Sequence, residues 1–119
     1  MVFSLFRRPR MAVLPGGIEL SPPSVRAGDD IVVKYHGTLA HDANGGNGQV
    51  LMRAGYGADG TWHDVQDIAM SKAADGSWTA EIAVDSGVDQ LNFCFADDTG
   101  NWDNNSGANW ALPVQPPLL

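Results

Sequence analysis

The chain has 119 residues and a mass of 12.7 kDa, which is the size of one domain. With 44% hydrophobic and 18% charged residues it can form a core, so disorder throughout the chain is excluded. The net charge of −7 opposes attraction to a phosphate backbone, and we therefore expect no nucleic-acid partner.

The N-terminal segment, residues 1–24, is expected to be a basic, poorly ordered tail. Its first apolar residues precede Arg7, Arg8 and Arg10, which reverses the order of a signal peptide, and no apolar run is long enough to cross a bilayer. An apolar segment beside arginines could touch an anionic membrane surface, but a frayed tail is the preferred interpretation. The one cysteine, Cys94, excludes an internal disulfide. Together these features predict a cytoplasmic protein.

Alternating apolar residues predict short β-strands from residue 25 onward. The prolines of the SPPSVRA segment suit a loop leading into a domain that spans 25–115, and 116–119 form a C-terminal tail. Strands are predicted at residues 30–36, 49–55, 68–70, 77–84, 90–96 and 110–114. Turns rich in Gly, Asn and Asp separate them, as at 42–48, and no helix is required. This spacing predicts an all-β fold, an antiparallel β-sandwich.

Catalytic and metal-binding residues have little support in the sequence. His36, His41 and His63 lie in separate segments, without a nucleophile turn or a set of zinc ligands. Residues 97–105 are rich in Asp and Asn and could offer calcium ligands, but they lack the spacing of an EF-hand loop. We expect these side chains to bond their own loop instead. The sequence therefore predicts no enzyme, no metal and no cofactor.

The tryptophans are the most informative residues. Trp78 alternates with Ala80 and Ile82 and is predicted to lie in the core, whereas Trp62 and Trp102 lie in polar loops. An exposed indole forgoes about 1.5–3 kcal/mol of burial, which a ligand could supply. A pyranose ring offers an apolar C–H face for stacking and a rim of hydroxyls for Asn and Asp. The alternative is that both indoles fold back over the ends of the sandwich.

A ten-residue motif, NWDNNSGANW at residues 101–110, resembles the closing motif of starch-binding carbohydrate-binding modules of the family 25 type and of related modules in plant starch synthases. The preceding LNFCFADDTG extends this similarity. Upstream, VLMRAGYGADGTWHDV at 50–65 and DGSWTAEIAV at 75–84 resemble other strands of the same family. The resemblance covers about residues 25–115.

This resemblance implies an immunoglobulin-like β-sandwich that binds α-glucans such as starch, glycogen or malto-oligosaccharides and catalyses nothing. It implies that Trp62 and Trp102 form the sugar platform, with Arg53 at a position where the family usually has histidine. The other implied sugar-binding residues are Tyr56, Asp103, Asn104, Asn105 and Asn109. Because such modules usually accompany a catalytic domain, which this chain is not expected to contain, a separate glucan-active enzyme is a second candidate partner.

A different class of function is also compatible with two exposed tryptophans. Interface aromatics often anchor a protein partner, so the alternative is a protein–protein interaction module that uses Trp62 and Trp102. A response of tryptophan fluorescence to maltoheptaose would favour the glucan, and a co-purifying protein would favour the alternative.

Overall fold

The chain folds into two β-sheets joined by short loops. A computed structural model describes residues 11–42 and 48–117. The predicted loop at 42–48, the first ten residues of the predicted tail and the last two residues therefore lie largely outside the part described. The elements in chain order are β1 (Ala12–Leu14), β2 (Ile18–Ser21), β3 (Val25–Arg26), β4 (Asp30–Tyr35), α1 (Thr38–Asp42), β5 (Val50–Tyr56), β6 (His63–Ala69), β7 (Ser71–Lys72), β8 (Trp78–Ala83), β9 (Gln90–Asp97), β10 (Trp102–Asp103) and β11 (Trp110–Gln115).

The two sheets pack face to face as a sandwich. The first sheet has the strand order β1-β2-β4-β8-β7, and the second has the order β3-β11-β9-β5-β6, with β10 paired to β9. The pairing of β3 with β11 is parallel, and the remaining described pairings are antiparallel. The rings of Tyr35 in β4 and Phe95 in β9 stack across the core with centroids 4.1 Å apart. The predicted all-β sandwich is confirmed.

The core follows the period of two in the central strands. In β9, Leu91, Phe93 and Phe95 are inaccessible to solvent, and their cross-sheet counterparts in β4 are equally buried. Trp78 is also buried, at 3% exposure, which confirms its predicted place in the core. The alternate residues of these strands therefore remain available to form the outer faces.

Two predictions about the elements are wrong. The segment after β4 turns into α1 (Thr38–Asp42), so one short helix is present where none was predicted. The ordered chain also begins before residue 25, because Ile18 and Leu20 of β2 are buried while β2 pairs with β4. Within the residues described, no helix has the length and apolar character needed to span a bilayer.

The burial of β2 can be tested by a conservative substitution. We expect Ile18→Val to lower the free energy of unfolding by about 0.5–1.5 kcal/mol, because Ile18 is fully buried. Val13→Ala, in the neighbouring strand β1, should change it much less because Val13 is 74% exposed. Urea unfolding measures both values. If both substitutions changed the free energy of unfolding by an equally negligible amount, β2 would lie outside the core.

Candidate functional site

The outer face of the second sheet carries both small and larger side chains where β5 and β9 pair. Gly55 lies opposite Asn92, and Arg53 lies opposite Cys94. Cys94 and Ala96 of β9 point away from the core, yet they are only 7% and 3% exposed. Neighbouring side chains therefore cover this part of the face.

Trp62 lies against this outer face. A Cβ added to Gly55 would lie 3.2 Å from both the Cβ and the Cε3 of Trp62, so the absence of a side chain at Gly55 lets the indole approach the sheet. The indole is half-buried. Trp62 therefore rests on β5 and does not fold into the core.

Trp102 lies on the same face. In β10, Trp102 pairs with Ala96 and points outward, and it is 47% exposed. The Cζ of Arg53 lies 4.7 Å from the centroid of its ring. Because Arg53 and Gly55 are two residues apart on one face of β5, the two indoles share one surface of the sheet.

Arg53 is held in place by the neighbouring strand. Its Nε and Nη2 donate to the two carboxylate oxygens of Asp67 at 2.7 and 2.9 Å. This bond lowers the pKa of Asp67 and raises that of Arg53. Asp67 was not predicted as a site residue, although its position opposite Arg53 would follow from extending the predicted strand at 68–70 back to residue 63.

Asp103 points towards the core and away from the outer face that carries Trp62 and Trp102. It follows Trp102 in β10 and therefore points to the opposite side, where its Oδ2 accepts a hydrogen bond from the Tyr35 hydroxyl at 2.6 Å. Burial, reinforced by this bond, raises the pKa of Tyr35. The contacts of Asp103 anchor β10 to the first sheet.

The asparagines of the motif build the loop that follows β10. The Nδ2 of Asn105 donates to the carbonyl of Asn109 at 3.0 Å, and both residues have positive φ, at 57° and 56°. The Oδ1 of Asn104 accepts from the amide of Gly107 at 2.9 Å, and the Asn104 side chain is exposed. Hydrogen bonds within this loop thus explain the presence of several asparagines in the motif.

The loop before Trp62 contacts the motif loop that follows β10. The Nδ2 of Asn109 lies 3.4 Å from the Oδ1 of Asp59, in the loop before Trp62. The amide of Gly57, at the start of that loop, donates to the carbonyl of Gln90 at 3.1 Å. These bonds tie the Trp62 loop both to the motif loop and to β9.

Tyr56 is not part of this surface, so its prediction as a sugar-binding residue is wrong. It is only 1% exposed, and its hydroxyl accepts from the Asp85 amide at 3.0 Å and lies 3.4 Å from the Ala83 carbonyl, to which it donates. Tyr56 shares the inward side of β5 with Met52 and Ala54, which explains its burial.

The Asp-rich loop after β9 is organised by hydrogen bonds to Asp97. Its Oδ1 accepts from the backbone amides of Thr99 and Asn101 at 3.0 and 2.9 Å, and its Oδ2 accepts from the Asn101 side chain. Across residues 11–42 and 48–117, no group of three His, Cys, Asp or Glu is placed to hold a metal. The Asp97 side chain thus serves its own loop, as expected for Asp in turns.

The Asp97 loop should respond to acid at an unusually low pH. Burial alone would raise the pKa of Asp97, but the bonds from Asn101 and Thr99 outweigh it and hold the pKa at about 2. Because this pKa lies below that of an unfolded chain, about 3.9, the contribution to stability is present above that value and is lost as the pH falls towards 2.

A carboxyl titration by nuclear magnetic resonance would measure this effect. The Asp97 resonance and the Thr99 and Asn101 amides should shift together with a midpoint near pH 2. The resonance of Asp30, an exposed residue of β4, can be followed in the same experiment for comparison. An Asp97 midpoint near 4, with the loop amides unaffected, would contradict the bonded arrangement.

Comparison with known proteins identifies the family. Residues 31–93, just over half of the chain, match the Starch/carbohydrate-binding module (family 53). The chain belongs to this family. The predicted class, a starch-binding module, is thus supported, whereas the match names family 53 where the motif suggested family 25. A family of binding modules also fits the expectation that the chain is not an enzyme.

An amylase contains a similar segment. This starch/carbohydrate-binding module is 32% identical over 95 residues to a protein of Clostridium acetobutylicum described as an alpha-amylase. The alignment covers 80% of this chain and 11% of that relative, so the chain spans about a tenth of the relative's length. No solved structure matches the chain.

Proposed function

We propose that the chain is a non-catalytic module that binds α-glucans of the starch and glycogen type, with Trp62 and Trp102 stacking against glucose units. The family membership supports carbohydrate as the ligand. The observation that carries the choice of site is that both indoles lie on one outer face, with Arg53 against Trp102. The protein–protein alternative has no comparable support.

Stacking of glucose units on the two indoles determines the expected order of magnitude of the affinity. If each indole removes about 100 Å² of apolar surface from water, two platforms supply roughly 5 kcal/mol at about 25 cal/mol per Å². The entropy of association opposes this gain. The expected dissociation constant is therefore between about 1 mM and 1 μM.

Polar groups around the indoles supply hydrogen bonds to the sugar rim. The Nη1 group of Arg53 has no partner among the residues described, whereas Nε and Nη2 are bonded to Asp67. Nη1 is therefore the first candidate donor, to a glucose unit next to the one that stacks on Trp102. Asn104 is exposed in the motif loop and is the second candidate. Asp103, Asn105 and Asn109 contribute chiefly by holding that loop in shape.

The strand order supports the immunoglobulin-like topology that the resemblance implies. The orders β2-β4-β8-β7 and β11-β9-β5 correspond to strands A-B-E-D and G-F-C of that fold, with β6 added at the edge beside strand C. In this assignment the glucan lies across strands F and C of the sandwich.

A glucan-active enzyme is the natural companion of such a module. The similar segment of the Clostridium acetobutylicum alpha-amylase is a small part of that protein. We extend the proposal to this chain: it brings a glucan-active enzyme to its polysaccharide, whether that enzyme is separate or linked.

Electrophoresis in native gels that contain polysaccharide tests the proposal. Soluble starch and glycogen should retard the protein, and a β-linked glucan such as hydroxyethyl cellulose should not. Titration with maltoheptaose should change the tryptophan fluorescence. Equal mobility in all gels and no fluorescence change would refute α-glucan binding.

A further inference from the structure

We propose that Asp67 is a positioning residue of this site, which fixes Arg53 against one face of the Trp102 indole so that a sugar can stack only on the opposite face. The inference rests on the proposed function for its sugar, but the arrangement of the three side chains can be tested without any ligand.

The register of the strands aligns Asp67 with Arg53. The two residues are direct partners in the β5–β6 pairing, and Cys94 lies opposite Arg53 on β9. Of these two cross-strand neighbours, only Asp67 carries a charge that can orient a guanidinium. The two hydrogen bonds to Asp67, at 2.7 and 2.9 Å, fix the plane of the guanidinium as well as its position.

The exposure of the pair points to a geometric role for the bond. Arg53 is 41% exposed and Asp67 is 44% exposed, and solvent screens much of the attraction between two charges at such exposure. Strand β6 is otherwise an exposed edge strand. The pair instead restrains a long side chain that would otherwise sample many rotamers.

The restrained guanidinium occupies one face of Trp102. Its Cζ lies 4.7 Å from the ring centroid, the distance of a cation–π contact. A face that holds a guanidinium cannot also hold a pyranose ring. Trp102 is nonetheless 47% exposed, so about half of its side chain remains accessible to a ligand. The contact therefore gives Trp102 a fixed orientation and a single face for the ligand.

The test compares Asp67→Asn with Asp64→Asn, which removes the same charge from the same strand. Asp64 contacts His63 at 2.9 Å and does not contact Arg53. Indole Nε1–H resonances report the environment of each tryptophan, and a Trp102→Phe spectrum assigns the one from Trp102. We expect Asp67→Asn to shift this resonance and to weaken maltoheptaose binding about two- to fivefold, as for loss of an exposed cation–π contact.

The controls separate this inference from the proposed function. Asp64→Asn should leave the Trp102 resonance and the affinity unchanged, and Asp67→Glu should restore part of both. Unchanged Trp78 and Trp110 resonances verify that each variant is folded. An Asp67→Asn variant with wild-type resonance and affinity would overturn the inference while leaving glucan binding intact. A fall in affinity without a shift of Trp102 would also overturn it, since Asp67 would then act on the sugar directly.

The ligand-free spectrum remains decisive if no glucan binds. In that case the proposed function fails, and an unshifted Trp102 resonance in Asp67→Asn would overturn the positioning role as well. A shifted resonance would support the arrangement of the three side chains independently of the sugar.

Discussion

Trp102→Ala is expected to abolish retardation of the protein in gels that contain starch or glycogen. Loss of one platform removes roughly 2.5 kcal/mol of stacking, which corresponds to about a 70-fold weaker affinity. The fold should persist because the side chain is 47% exposed and lies outside the core cluster. Calorimetric titration with maltoheptaose gives the affinity, and far-ultraviolet circular dichroism verifies the fold.

A matched control excludes a general effect of removing surface apolar area. Val32 is 38% exposed, and it belongs to β4 in the other sheet. Val32→Ala should bind α-glucans like the wild type. Wild-type retardation of Trp102→Ala, or equal losses in both variants, would contradict the proposed platform.

The central strands could be predicted from the sequence because they bury one face. In β4, β5, β8, β9 and β11, the observed ends lie within about two residues of those predicted from alternating apolar side chains. Strand β2 was missed because only Ile18 and Leu20 alternate, which is too short a pattern to predict a strand. Edge strand β6 was predicted only in part, since its side chains are mostly exposed and carry no apolar period.

The candidate site could be predicted only where a motif marked it. Trp62 and Trp102 stand out because each is a large apolar side chain in a polar loop, where it forgoes burial, and the resemblance added Arg53. Asp67 was missed since its role depends on the pairing of β5 with β6, which local patterns do not reveal. Tyr56 could have been excluded, because it follows Met52 and Ala54 on the apolar side of β5.

The motif loop depends on the core through one buried hydroxyl. Tyr35 is fully buried, donates to Asp103 at 2.6 Å and accepts from the Leu39 amide at 3.1 Å. Tyr35→Phe would leave the Asp103 carboxylate and the Leu39 amide without this partner. We expect the free energy of unfolding to fall by about 1.5–3 kcal/mol, the range for a hydrogen bond to a charged group. Denaturation in urea measures the loss.

Tyr56→Phe is the matched control, because it removes a buried hydroxyl that bonds only neutral backbone groups, those of Ala83 and Asp85. It should cost about 0.5–1.5 kcal/mol and leave glucan affinity unchanged. Tyr35→Phe should in addition weaken maltoheptaose binding, since Asp103 adjoins Trp102 in β10. Equal stability losses in both variants, with no change in affinity, would show that the charged acceptor adds nothing to the Tyr35 bond and that this bond does not position the Trp102 platform.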